Sequence, residues 1–171
     1  MPEDKIKSFR ELFLSRLSTL SHIIDISSEH LQKEADSILG YRLIDDMLPL
    51  GTQIAYACNQ PRNFALWCEG AAMENLSADV ESLSEARKII DDTRSKLISV
   101  TVNDEKLQEV MRIDIGEEQY IELPGLEYVN DFLIPNLYFH LVTAYNIMRM
   151  KGVPVGKFDY MIHLAPKVKQ T

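Results

Sequence analysis

Clustered positive charge is missing from this chain. Lys and Arg together number 18 against 26 Asp and Glu, a formal net charge of −8 in 171 residues. Nucleic-acid backbones and anionic membranes are held by grouped Lys and Arg, so neither is an expected partner. Long apolar runs are missing too: no stretch approaches the roughly 20 residues that a bilayer-crossing helix needs. The opening MPEDKIKSFRE is charged and has no apolar h-region, which argues against a secretory signal. Cysteine is scarce. Cys58 and Cys68 form no CxxC pair, and both fall within helical pattern. Buried free thiols in a reducing compartment are the expectation. The cytoplasm follows as the expected location, with the nucleus open as a second. No internal repeat or low-complexity tract divides the chain, so residues 1–171 read as a single helical-bundle domain. What is present is ordinary for a folded protein: 46% hydrophobic and 26% charged residues.

The apolar residues recur mostly at helical spacing. Phe9, Phe13, Leu17, Leu20 and Ile24, widened by Leu12 and Ile23, mark the inner face of a helix from 5 to about 31. Residues 32–47 are mixed and broken by Gly40. A second helix opens at Pro49, with Asp45 and Asp46 near its positive end, and repeats at Leu50, Gln53, Ile54, Ala57 and Cys58. Pro61 predicts a kink there, or a fresh helix from Pro61 to about Met73, with Phe64 and Trp67 as core anchors. Ser82 and Glu85 have capping-box spacing before a third helix on Leu83, Ala86, Ile90, Thr93 and Leu97, ending near Thr101. Residues 103–110 read as a helical turn. In MRIDIGEEQYIEL the isoleucines alternate with polar residues on either side of Gly116, which predicts a short β-hairpin packed on the helices.

The last helix lies in DFLIPNLYFHLVTAYNIMRMKGVPVGKFDY, residues 131–160. Ile134, Leu137, Leu141, Ala144, Tyr145 and Met148 share one face, and Gly152 followed by Pro154 ends the helix. Pro135 lacks an N–H, so the helix kinks or starts afresh there. Beside the apolar stripe run Asn136, His140 and Thr143, one turn apart at the edge of the core. Four main helices, with the hairpin in the crossover before the last, make an all-α four-helix bundle.

The C-terminal block reads PN-x-x-FH-x-x-TAY-x-I-x-R-x-x-GV-x-x-GK-x-D, carried by Pro135, Asn136, Phe139, His140, Thr143, Ala144, Tyr145, Ile147, Arg149, Gly152, Val153, Gly156, Lys157 and Asp159. Upstream, Asp46, Met47, Pro49, Leu50 and Gln53 fit a second block. Together they resemble an uncharacterised-domain family of the DinB/YfiT-like helical-bundle superfamily. The resemblance implies a four-helix bundle, often a homodimer, in a superfamily associated with metal-dependent enzymes, some of them thiol S-transferases. It also implies a three-histidine site for one divalent metal, one ligand on the second helix and an i, i+4 pair on the last. Those positions are Gln53, Asn136 and His140 here, so His140 is the one imidazole left.

One imidazole beside two carboxamides is a poor donor set for zinc, although Asp46 or another carboxylate could add a ligand; no cofactor is expected, and a divalent metal is the disfavoured alternative. Three readings of the cluster follow. In the first, a metal-free bundle binds or transforms an apolar small molecule in a pocket of His140, Asn136 and Gln53, with Tyr56 or Tyr145 beside them. In the second, the cluster is a hydrogen-bonded core edge in a structural or interaction protein. The third is a degenerate metal-dependent transferase. A Cys58–His140 nucleophile is disfavoured because Cys58 lies off the Gln53 face. His22, His30 and a solvent-exposed His163 are assigned no role. Lys157 and Asp159 are expected to tie the tail to the bundle, with an anion site at Lys157 as the alternative. Tyr138, Phe139 and Tyr145 read as core, or as a dimer interface where exposed.

Overall fold

Residues 4–169 are described by a computed structural model. Helix α1, Lys5–Leu31, is capped by the Asp4 carboxylate, which accepts from the Lys7 N–H at 2.8 Å. It buries Ile6, Phe13, Leu17, Leu20, Ile23 and Ile24, the face its spacing predicts. The mixed stretch after it is 3-10 structure, Gln32–Gly40, which buries Ala35, Ile38 and Leu39.

Helix α2, Leu50–Cys68, runs unbroken through Pro61 and stops at Cys68 rather than Met73. The fresh helix expected as one alternative at Pro61 does not form. A mid-helix proline costs about 3 kcal/mol. This one sits in a helix buried along almost all its length between α3 and α5, and that packing outweighs the lost hydrogen bond. The helix ends because Gly70 takes φ +69°, which lets the Ala71 N–H reach the Leu66 carbonyl and the Gly70 N–H the Trp67 carbonyl. Gly152, at φ +83°, ends the last long helix in the same way.

Helix α3, Leu83–Ser99, is capped by Ser82 Oγ, which accepts from the Glu85 N–H. The Glu85 carboxylate reaches back to the N–H of Glu81, one residue before the cap. After a 3-10 turn, Asp104–Gln108, strand β1, Val110–Gly116, pairs antiparallel with β2, Gln119–Pro124. The turn stops short of Val110 because that residue already belongs to β1. Met111 and Leu123, and Ile113 and Ile121, are cross-strand pairs turned toward the core. Ile115 leaves that pattern: a bulge between Asp114 and Gly116 turns it out, 53% exposed.

The chain then enters one continuous helical run: α4, Gly125–Glu127, a π-helical turn, Tyr128–Leu133, and α5, Ile134–Met150. The Ile134 N–H reaches back five residues to the Val129 carbonyl. Widening the turn just before Pro135 accommodates the missing donor and the bulk of its ring, so α5 starts afresh with proline in its first turn. Helix α6, Lys157–Tyr160, and a 3-10 run, Ile162–Lys167, fold back onto α1.

The long helices α1, α2, α3 and α5 form an all-α four-helix bundle, with the hairpin in the crossover between α3 and α5. Their buried side chains join in one hydrophobic cluster. No helix among the described residues is long and apolar enough to cross a membrane.

Candidate functional site

Because α2 packs along α5, Gln53 and His140 meet although 87 positions separate them. Gln53 is buried. Its Nε2 donates to the Leu48 carbonyl at 3.1 Å, so its Oε1 is the end that faces His140 Nδ1 at 2.8 Å. The imidazole hydrogen is therefore assigned to Nδ1 from the hydrogen-bond network. Burial pulls the imidazole down from 6.5 to about 4, so the ring is neutral at pH 7 and Nε2 is a bare acceptor. Tyr56 and Phe139 meet the ring edge-on, at centroid distances of 5.5 and 5.2 Å.

This arrangement predicts a pH dependence. Between pH 6.5 and about 4 the unfolded chain binds a proton at His140 that the folded chain does not. Stability is therefore full above that window and declines as pH falls through it. His140 is partly exposed and screened by solvent, so the loss is on the order of 1 kcal/mol. Urea unfolding at several pH values, with His140→Gln alongside, measures it. An unchanged slope in the variant would show that His140 is not the group responsible.

One turn before His140, Asn136 lines a cleft of about 480 Å³. Helix α2 supplies Tyr56, Asn59, Gln60 and Asn63; residues 73 and 75, Phe132, and Arg112 to Asp114 of β1 supply the rest. Asn136 Nδ2 donates to the Phe132 carbonyl at 2.7 Å. Asn59 Oδ1 accepts from the Leu76 N–H at 2.8 Å, which pins the irregular segment after α2 over the helix. Asn63 Nδ2 faces Asn75 Oδ1 at 3.4 Å, whereas Asn63 Oδ1 is buried without a partner among the described residues. Arg112 and Asp114 pair with each other at 3.2 Å at the exposed rim.

Of the expected residues, the structure brings His140, Gln53 and Tyr56 together, and Tyr56 and Asn136 share the neighbouring cleft. Tyr145 does not join them. Five residues on from His140 it points about 140° round the helix, and it packs edge-on against Tyr160 at 5.9 Å. The cleft residues Asn59, Gln60, Asn63, Arg112 and Asp114 escaped the sequence reading. A signal was there: Tyr56, Asn59, Gln60 and Asn63 make a polar stripe at helical spacing on an otherwise apolar helix.

The remaining candidates are structural. Burial pushes the thiols of Cys58 and Cys68 up to about 12, which leaves both inert as nucleophiles at neutral pH. Asp159 does tie the tail down: it accepts from the Gly156 N–H at 2.7 Å and meets His22 Nε2 on α1 at 3.0 Å. His163 is half-buried, not solvent-exposed, and its Nδ1 has no partner among the described residues. The aromatic stripe divides: Tyr138 OH accepts from Arg16 at 2.8 Å, and Phe139 is 56% exposed.

Residues 7–161 match a protein family described as a domain of unknown function, DUF1993. The chain belongs to the DUF1993 family. A crystal structure of a DinB family member protein from Shewanella denitrificans is similar at 28% identity and a TM-score of 0.74, over 89% of this chain and 88% of that one. No curated protein compared with the chain matches it significantly. This DUF1993 chain is thus a DinB-like bundle in fold.

The three-imidazole metal site that the DinB resemblance implies does not fit these residues. Gln53 and His140 are close enough to bond to each other, and the donors at the three positions are one imidazole and two carboxamides. No group of three or more His, Cys, Asp or Glu side chains among the described residues could hold a metal ion.

Proposed function

We propose that this DUF1993 protein binds a small organic molecule in the cleft between α2, α5 and the hairpin, without a metal. The cleft itself carries this reading: about 480 Å³, with convergent amides set into a wall of Ile113, Phe132 and Met73. Small-molecule sites have this volume and this combination of surfaces. The Gln53–His140 pair stands next to the cleft, with the imidazole edge-on against Tyr56 of its lining; the ring is neutral, and Asp114 at the rim is the cleft's own proton acceptor.

A thermal-shift screen of neutral metabolites tests the proposal. A ligand at about one hundred times its dissociation constant stabilises by about 2.7 kcal/mol, a rise of roughly 5–10 °C for a chain of this size. The rise should shrink when Asn136 or Tyr56 is replaced by alanine. If no compound raises the melting temperature or perturbs the amide resonances of Asn59 and Asn136, the cleft is not a binding site.

We also propose that the protein is a homodimer that resides in the cytoplasm. The outer face of α5 supports the first part: Phe139, Val142 and Met150 are exposed on one side of the helix, and a two-fold pairing of two such faces would cover them. The free buried thiols support the second. Light scattering should give twice the chain mass, and Phe139→Glu should return it to one chain. A single-chain mass in the wild type removes the dimer.

A further inference from the structure

We infer that the ligand of this cleft is a neutral, planar heterocycle with a nucleobase-like edge, an N–H donor next to a carbonyl or ring-nitrogen acceptor. This rests on the reading that the cleft binds a small molecule.

Charge narrows the class first. The ions lining the cleft are Arg112 and Asp114, and each neutralises the other at 3.2 Å. His140 next to the cleft is uncharged at pH 7. A carboxylate or ammonium ligand would give up its hydration without meeting an unpaired counter-charge.

Hydrogen bonding narrows it further. Asn63 is 8% exposed, and its Oδ1 accepts from no group among the described residues, while its Nδ2 is turned toward Asn75. Asn59, 4% exposed and one turn earlier on the same face of α2, is its complement. Its Oδ1 is taken by the Leu76 N–H, and its Nδ2 donates to no described group. One face of one helix thus carries an unused acceptor and an unused donor a turn apart, and a turn of the Asn63 amide, held only by the 3.4 Å contact to Asn75, would bring its enclosed Oδ1 to the cleft. A buried acceptor left unpaired costs about 1–3 kcal/mol, so a ligand N–H at Asn63 gains what the free protein lacks. An edge carrying both a donor and an acceptor satisfies both amides at once.

Shape supplies the last constraint. Phe132 lines the cleft and is fixed by stacking on Tyr128 with an 18° interplanar angle, and Ile113 and Met73 also line it. An apolar wall that includes an aromatic ring, beside a row of amides, suits a planar ring.

The test uses the full chain labelled with nitrogen-15 and four kinds of probe: adenine, uracil, benzoate and N-acetylglucosamine. Adenine or uracil should shift the side-chain amide resonances of Asn59 and Asn63. Asn63→Leu should weaken that binding roughly tenfold, the worth of one hydrogen bond to a buried group. Asn63→Ala removes the amide without filling its space and should weaken binding alike; circular dichroism checks that both variants fold. Binding of benzoate or N-acetylglucosamine in the cleft without either nucleobase would overturn the ligand class and leave the binding site standing. Nucleobase binding that neither variant weakens would overturn the role of Asn63. Silence from all four probes overturns this inference, and the metabolite screen then decides whether the cleft binds anything.

Discussion

Phe64→Ala should lower the unfolding free energy by about 3–5 kcal/mol and the melting temperature by roughly 6–20 °C. Phe64 has no exposed surface. Its ring lies 5.1 Å from Phe13 and 6.4 Å from Phe9 on α1, and 6.2 Å from Trp67 one turn along α2. Truncation would leave a cavity where α1 meets α2, walled by aromatic rings that cannot collapse into it. Domains are stable by only about 5–15 kcal/mol, so the loss is a large share of the whole. Phe158→Ala is the control: Phe158 is 63% exposed, and a change of about 0.5 kcal/mol or less is expected. Urea unfolding of the two variants measures the contrast. A loss below about 1 kcal/mol at Phe64 would mean that α1 does not pack on α2 as described.

The second large effect is a gain. Gln53→His with Asn136→His should convert a chain that takes up no stoichiometric zinc into one that holds a single equivalent. His140 and the new histidine at 136 would stand at i, i+4 on one face of α5, a spacing that zinc ligands use. The new histidine at 53 replaces a side chain that already reaches His140 within 2.8 Å. Three imidazoles and one open position make a complete zinc site. Zinc at about one hundred times its dissociation constant should raise the variant's stability by about 2.7 kcal/mol and leave the wild type unchanged. Elemental analysis and thermal unfolding with and without zinc read the two sides. Stoichiometric zinc in the wild type would show that carboxamides suffice here; none in the variant would show that the three positions do not converge.

His140 shows how far the residues alone lead. Its place beside Asn136 at the edge of the core follows from helical spacing, and the resemblance of the upstream block ending at Gln53 puts that residue in the same cluster, with Gln53, Asn136 and Tyr56 all open as its partner. The tautomer does not follow. It needs the Leu48 carbonyl, which takes the donor end of the Gln53 amide and leaves the acceptor end to the imidazole. Tyr145 marks the limit from the other side. It belongs to the same sequence block, yet the rotation of 100° per residue carries it to another face, against Tyr160.

Pro61 and Ile115 fail for a related reason. A proline predicts a kink or a fresh start when a helix is considered alone, but α2 is enclosed on both sides, and its neighbours hold it as one helix through Pro61. The alternation around Ile115 predicts an inward side chain, and a bulge set by the pairing of two strands turns it outward.

The order of residues by itself determined the helices, their buried faces and the hairpin, because apolar periodicity, caps and glycine stops act over a few residues. Only the tertiary structure decided the cleft. Its amides come from α2, its rim from β1 and its wall from the π-helical turn, segments tens of residues apart in the chain. Which unpaired donor meets which acceptor there depends on how those elements pack, and no local pattern records that.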